Sequence, residues 1–152
     1  MKTTTLLRLL AATALFAALG GCATCPKVNA PAAVSTTELI RTSQSWDGAE
    51  LPDYPDGRPE LVAIRYEFPA GQKLGWHHHP VMNYGVLQQG ELTIIALDGT
   101  EKVVHAGEAV VEMVDTIHHG ENRGDKTVIL DMFYISQEGV PLAVQHPEIP
   151  LE

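Results

Sequence analysis

The sequence predicts an all-β fold, a barrel or a sandwich, on three observations. Apolar and polar side chains alternate along several short segments, which is the period of a half-buried strand. Clusters of Gly, Pro, Asp and Asn separate these segments at short intervals. After a predicted N-terminal signal, no ten-residue stretch keeps the 3.6-residue periodicity of an amphipathic helix. What remains after that signal is long enough for one hydrophobic core and too short for two, so one domain is expected.

Five segments carry the strand pattern. Residues 61–68 alternate, with Val62, Ile64, Tyr66 and Phe68 on one face. Residues 91–97 and 101–105 are predicted to form a hairpin, because the Asp98-Gly99 pair between them suits a tight turn that matches strand twist. Two further strands are predicted at residues 108–114 and 127–135, and the second is apolar enough to be buried on both faces.

The N-terminus resembles a bacterial secretory signal. Lys2 and Arg8 precede an apolar run over residues 9–19, which is too short for a membrane span. Residues 19–22 (Leu-Gly-Gly-Cys) resemble the lipoprotein box, in which cleavage precedes the cysteine and Cys22 receives the lipid. The resemblance implies a protein on the periplasmic side of the bacterial cell envelope, anchored in the outer membrane through its lipid alone.

Composition divides the remaining chain. A flexible tether is expected at residues 22–45, which are rich in Ala, Ser, Thr and Pro, and an ordered arm at residues 46–59. Residues 60–136 are predicted to form the barrel, and residues 137–152 an irregular tail. Cys25 is the only cysteine besides Cys22, so lipidation would leave no redox or zinc pair.

The charge balance argues against several partners. The formal net charge is −9 with the histidines neutral, and it becomes more negative once the signal with Lys2 and Arg8 is removed. Such a surface repels phosphate backbones and anionic headgroups, so nucleic acid is not an expected partner.

Three histidines have the spacing of a metal site. His77 and His79 project from the same face of a strand, whereas His78 points to the opposite face. His118 lies 39 positions after His79. Only tertiary folding could therefore bring it to the same ion.

These residues belong to two motifs that resemble those of the cupin superfamily. The first motif runs from Gly71 through His77 and His79 to Gly90, and the second runs from Gly107 through His118 to Asn122. The resemblance implies a jelly-roll barrel, also called a double-stranded β-helix, with one divalent transition metal ion inside. It also implies an arm that packs on a second subunit, hence a homodimer. The family's usual glutamate, proline and glycine are replaced here by Asn83, Met113 and Asp115.

Asn83 decides the expected chemistry of the site. It shares the face of His77 and His79, and an asparagine offers only a neutral carbonyl oxygen to a metal ion. The sequence is compatible with a three-histidine site, with Asn83 beside the ion and positions open for water and substrate. It is also compatible with a site in which a carboxylate from elsewhere, first of all Glu112, restores the anionic ligand. The first arrangement is preferred, because the direction of Glu112 before an irregular turn cannot be derived from the sequence.

Further residues have predicted roles around the ion. The amide of Asn122 is expected to fix the turn after His118 rather than to touch the metal. Gly85 and Leu87 share the pocket face, where they would leave room for a ligand and supply an apolar wall. The remaining histidines are expected to be hydrogen-bonded or surface residues: His78, His105, His119 and His146.

Three functions fit these residues. The first is a metal-dependent enzyme, an oxygenase, lyase or isomerase, acting on a small organic molecule with Fe, Mn, Ni or Zn. The second is a non-catalytic metal or ligand binder, a sensor or scavenger, on the envelope. The third is a structural domain that has lost its metal, against which the three intact histidines argue.

Overall fold

The computed structural model describes residues 33–151. The predicted signal, the lipidated Cys22 and the first part of the tether lie outside these residues. Within the described part of the chain, no helix is long and apolar enough to cross a membrane. Contacts divide the chain after Ser35, and residues 36–152 form the unit that contains every strand described below.

Nine β-strands and no helix occur in residues 33–151, as the alternating pattern predicts. In chain order the strands are β1 (Pro59–Phe68), β2 (His77–His78), β3 (Met82–Gln89), β4 (Glu91–Ala96), β5 (Glu101–His105), β6 (Ala109–Val111), β7 (His118–Glu121), β8 (Val128–Gln137) and β9 (Val144–Gln145).

The strands form two antiparallel sheets. The four-stranded sheet has the order β1-β8-β3-β6, and the five-stranded sheet has the order β5-β4-β7-β2-β9. Most neighbours within a sheet are distant in sequence, which is the signature of a jelly roll rather than of a meander. The jelly-roll fold predicted from the sequence is therefore confirmed.

The hydrophobic core contains inward-facing side chains from both sheets. Its members include Leu87, Leu130 and Met132 from the four-stranded sheet and Leu92, Ile94 and Val104 from the five-stranded sheet. Each of these side chains exposes at most 3% of its surface. The core supports β2 and β7, the two strands that carry the histidines.

The predicted hairpin of β4 and β5 is present. Gly99 has a φ of 89°, which is unfavourable for residues with a side chain, and its N–H donates to the carbonyl of Ala96. The strand predicted at residues 127–135 is β8, but its side chains alternate strictly between buried and half-buried positions. The expectation that both of its faces are fully buried is wrong, because only one face of a sandwich sheet meets the core.

Two segments are more ordered than their composition indicates. The predicted tail contains β9, which pairs with β2 at the edge of the five-stranded sheet. Before the predicted arm, Gln44 already pairs with Glu50, and the N–H of Trp46 donates to the carbonyl of Val111. The expected homodimer remains a prediction.

Candidate metal centre

Strand pairing brings the three predicted histidines together. In the five-stranded sheet His77 on β2 lies directly opposite His118 on β7. His79 follows β2 and forms a bridge with Val114. The three side chains are buried, and each offers a ligand nitrogen within 4.8 Å of the other two. The cluster could therefore hold one metal ion.

A backbone carbonyl fixes each ring. The Nδ1 atoms of His77, His79 and His118 lie 2.7–2.8 Å from the carbonyl oxygens of Gly75, Leu142 and Thr116. Because a carbonyl oxygen can only accept, each Nδ1 carries the proton and donates it. The neutral ring then has its lone pair on Nε2, which is the tautomer that a metal ion requires.

The Nε2 atoms of His79 and His118 provide a test of whether the residues fit a metal ion. Both atoms are buried and neither has a hydrogen-bond partner. A buried polar atom without a partner is costly, so native proteins rarely leave one. A cation bound at these nitrogens would satisfy both, and nitrogen donors of this kind suit Fe, Mn, Ni or Zn. The site fits the metal that its motifs imply.

The surroundings of His77 and His118 shift the pKa values of these two rings in opposite directions. Burial lowers the pKa of His77 to about 4, so this ring is neutral at physiological pH. Burial also acts to lower the pKa of His118, but the neighbouring Glu112 carboxylate outweighs it, and the pKa lies above its ordinary value. Metal binding at His118 therefore competes with a proton more strongly than binding at His77 does.

The lowered pKa of His77 predicts a pH dependence of stability in the metal-free protein. The unfolded chain takes up a proton near pH 6.5 and the folded chain only near pH 4, so acid favours unfolding between these values. The loss reaches roughly 3 kcal/mol at pH 4, since each pKa unit corresponds to about 1.4 kcal/mol. Urea unfolding of EDTA-treated protein from pH 7 to pH 4 measures it.

The matched variant is His77→Gln, which removes the titrating ring and should flatten this part of the stability curve. Because His118 titrates in the opposite sense at higher pH, the difference between the two proteins is the relevant quantity. Identical pH slopes for His77→Gln and wild type would show that His77 is not the group responsible.

The two residues considered as further metal ligands, Asn83 and Glu112, have clear positions. Asn83 lies on β3 and is 1% exposed, and neither its amide nitrogen nor its amide oxygen has a hydrogen-bond partner. Glu112 follows β6, and its Oε2 lies 3.0 Å from Nε2 of His79 and 3.8 Å from Nε2 of His118. The Glu112 carboxylate thus lies next to the histidines. This position corresponds to the second of the two arrangements that the sequence left open.

The cavity beside the histidines is small. Its volume is about 20 Å³, which is room for one or two water molecules. Polar groups line it on one side, namely His77, His79, Glu112 and the Tyr66 and Tyr134 pair. Its apolar wall consists of Phe68, Leu74, Leu92, Leu130 and Met132. In this conformation the enclosed space accepts a ligand of only a few non-hydrogen atoms.

The two residues predicted to line the pocket pack elsewhere. A side chain at Gly85 would place its Cβ 2.3 Å from Sδ of Met132 and 2.9 Å from a methyl of Leu130, so this glycine allows β8 to approach β3. Leu87 is fully buried in the hydrophobic core. Neither residue is among those that line the cavity.

A larger open groove of about 1000 Å³ lies on another surface, between Trp46, the β4–β5 hairpin and residues 113–117. None of the three histidines lines it. The small cavity, where the titratable groups converge, is therefore the better candidate for chemistry.

Asn122 secures the turn after β7. Its side-chain NH₂ donates to the carbonyls of Phe68, Pro69 and Lys126, and its Oδ1 accepts from the N–H of Gly124. These bonds join the turn to the end of β1 and so hold the strand that carries His118.

The other histidines occupy distinct environments. His78 and His146 form a hydrogen bond between their rings, 2.8 Å long. His146 is half-buried rather than at the open surface, and it also contacts Glu148. His105 is exposed and lies 3.1 Å from Glu91. His119 is buried and packs edge-on against Trp76.

The carbonyl groups that orient the rings could not be identified from the sequence. Gly75, Thr116 and Leu142 act through backbone oxygens, which every residue has, so no side-chain pattern could have identified them. Leu142 lies in the tail that was predicted to be irregular, and its contribution depends on the pairing of β9 with β2.

Comparisons with known proteins agree with this geometry. Residues 64–135 match the family described as Cupin domain. Among solved structures, an oxalate oxidase in complex with the substrate analogue glycolate is 28% identical, with a TM-score of 0.50 over 57% of this chain and 46% of the other. The present chain thus spans less than half the length of that oxidase.

Two further structures are similar at lower identity. A cupin domain from Bordetella pertussis Tohama I is 19% identical, with a TM-score of 0.45 over 56% of this chain and 98% of the other. A protein with a double-stranded β-helix domain from Klebsiella pneumoniae is 16% identical, with a TM-score of 0.49 over 61% and 88% of the respective chains.

Among curated proteins there is no match. The family match, the two-sheet jelly roll and the buried histidine cluster nevertheless agree with one another. Together they support assignment of residues 64–135 to the cupin superfamily, as a cupin domain with a three-histidine site that could bind a metal.

Proposed function

We propose that this protein is an envelope-anchored metalloprotein that acts on a small organic molecule at the His77, His79 and His118 site. The proposal rests on the burial and the hydrogen bonding of the three histidine rings. All three are buried, each Nδ1 donates to a carbonyl, and the Nε2 atoms of His79 and His118 both face the Glu112 carboxylate. Such preorganisation favours a bound ion over a merely structural cluster.

The proposed substrate is a small molecule with an oxygen donor, such as a short carboxylic acid. The enclosed space beside the histidines is only about 20 Å³, so a molecule of a few non-hydrogen atoms fits best. The similarity to an oxalate oxidase that binds glycolate supports the same size class, although this chain covers less than half of that protein.

When bound, a divalent transition metal ion supplies Lewis acidity and stabilises negative charge on an oxygen ligand. The protein's own residues provide the surroundings for this chemistry. The histidine tautomers are held by carbonyls, and the apolar wall around Leu92 and Met132 excludes water. Burial and a 3.0 Å contact with the Tyr66 hydroxyl raise the pKa of Tyr134, so one of these hydroxyls can keep a proton available to a bound oxygen atom.

Turnover assays with metal added back test the proposal. Full-length protein stripped of metal and reloaded with Fe, Mn, Ni or Zn is incubated with a panel of two- to four-carbon acids, and products are followed by mass spectrometry. Product formation that depends on both the metal and His79 is expected. Tight binding of an acid without product would instead identify a non-catalytic sensor or scavenger.

We also propose that Cys22 carries the lipid that tethers the domain to the periplasmic side of the outer membrane. In this position the domain meets small molecules that have crossed the outer membrane. Cys22→Ser in the full chain is expected to move the protein from the membrane fraction to the soluble periplasmic fraction. Retention of that variant in the membrane fraction would argue against lipidation at this residue.

A further inference from the structure

We infer that Glu112 supplies the anionic fourth ligand of the metal centre, in place of the carboxylate that the first motif lacks at Asn83. This inference rests on the proposed metal site and concerns the composition of its ligand set. The carboxylate would come from the segment after β6 rather than from β3. The site would then contain three nitrogen donors and one oxygen donor drawn from three separate parts of the chain.

The sheet register places the two positions side by side. Strands β3 and β6 pair antiparallel, with Tyr84 opposite Val111, and the N–H of Glu112 donates to the carbonyl of Asn83 at 3.3 Å. Residues 83 and 112 are therefore cross-strand neighbours. Since side chains of such neighbours project from the same face of a sheet, a carboxylate at 112 can occupy the region that one at 83 would occupy.

The contacts of the Glu112 carboxylate point to a shared centre. Its Oε2 lies 3.0 Å from Nε2 of His79 and 3.8 Å from Nε2 of His118. Both ring nitrogens and the carboxylate oxygen thus converge on one small region, with each Nδ1 turned away toward a backbone carbonyl. Nitrogen and oxygen ligand atoms that converge in this way have the arrangement expected around a common cation.

The charge of the buried carboxylate requires compensation. The Glu112 side chain is 9% exposed, and its ion-pair partners in the described residues are His79 and His118. Nδ1 of each ring is already used by a backbone carbonyl, so Nε2 is the atom through which each ring faces the carboxylate. A buried anion without a counter-charge is strongly unfavourable, and a metal ion at the Nε2 atoms would supply the missing positive charge.

Asn83 fits the same arrangement. Its side chain is buried and both polar atoms lack a partner, so the site already contains a neutral polar group beside Glu112. A glutamate at position 83 would place a second carboxylate next to the first, and two neighbouring buried carboxylates repel each other. The neutral amide at position 83 is therefore the residue type that accompanies a carboxylate at 112.

Titration of the metal-free full-length protein with Co²⁺ alone tests this assignment, with visible absorption and competition affinity as readouts. Glu112→Gln keeps the size of the side chain and removes its charge, and it should weaken Co²⁺ binding at least about 10-fold with a changed absorption spectrum. The double variant Glu112→Gln with Asn83→Glu should recover affinity, because it returns one carboxylate to the cross-strand position.

Three further proteins make the test decisive. Glu121→Gln is the matched control. Glu121 is also a buried glutamate, but it lies on β7 and forms ion pairs with Lys73 and Arg123. The Co²⁺ affinity of this variant should equal that of wild type. Glu112→Asp keeps the charge with a shorter reach and should bind with intermediate affinity. This variant decides the question if Glu112→Gln fails to fold. Asn83→Glu alone should not bind more tightly than wild type.

The failure of this inference differs from the failure of the proposed function. Wild-type Co²⁺ affinity in folded Glu112→Gln, or in Glu112→Asp if only that variant folds, would overturn the role of Glu112 while the three-histidine site stands. No Co²⁺ binding by wild type would remove both.

Discussion

Replacing His79 by alanine is expected to abolish metal retention. The wild-type protein should purify with close to one equivalent of a transition metal, and the variant with almost none. The reason is that His79 supplies one of three convergent nitrogens, and its Nε2 is also the histidine nitrogen nearest to Glu112, at 3.0 Å. Loss of one donor from a site of this size leaves too few ligands to displace the hydration shell of the ion. Elemental analysis of both proteins measures the effect.

The control for this experiment is His78→Ala, a change of the neighbouring residue in the chain. His78 points to the opposite face, where its Nδ1 contacts His146 rather than the cluster. This variant should therefore keep its metal and its fold. Equal metal content in His79→Ala and wild type would be incompatible with the proposed centre.

Asn122→Ala is expected to destabilise the fold strongly. The side chain is 2% exposed, and its amide makes hydrogen bonds to the backbone of Phe68, Pro69, Lys126 and Gly124. Alanine would leave several buried backbone groups unsatisfied, at a cost of about 2–4 kcal/mol in the free energy of unfolding. For a domain of this size the midpoint of thermal unfolding should fall on the order of 10 °C.

Asn122→Asp separates hydrogen bonding from packing. The aspartate has nearly the same shape, but its charged carboxylate would face the carbonyl oxygens that the amide now donates to. At neutral pH this variant should be at least as unstable as Asn122→Ala, and it should recover stability as acid protonates the carboxyl group. If either variant unfolded like wild type, the turn after β7 would not depend on this amide.

Local sequence patterns were sufficient for much of the fold. The alternation in residues 61–68 and the Asp98-Gly99 turn predicted β1 and the β4–β5 hairpin, because both depend on neighbouring residues alone. Strand β9 was not predicted, since Val144 and Gln145 lie between prolines and have no pattern of their own. They pair with β2 only because the folded sheet presents a free edge there.

Only some features of the candidate site could be predicted from local sequence patterns. The two-residue spacing of His77 and His79 predicted a common face, and their ring centroids are 4.9 Å apart. The direction of Glu112 was not predictable, because it follows the end of β6, where strand alternation no longer applies. Gly85 and Leu87 share the predicted face, yet β8 packs so closely against Gly85 that no pocket forms there.

The linear order of residues by itself determined the all-β class, the strand faces and the histidines that belong to the two motifs. Tertiary structure alone decided that His118 lies opposite His77, that carbonyls of distant segments orient the rings, and that the carboxylate near the Nε2 atoms belongs to Glu112. The physical reason is the sequence separation of the residues that interact. Side-chain alternation is set between adjacent residues, whereas the convergence of donor atoms depends on sheet register and packing, which arise from contacts between segments far apart in the chain.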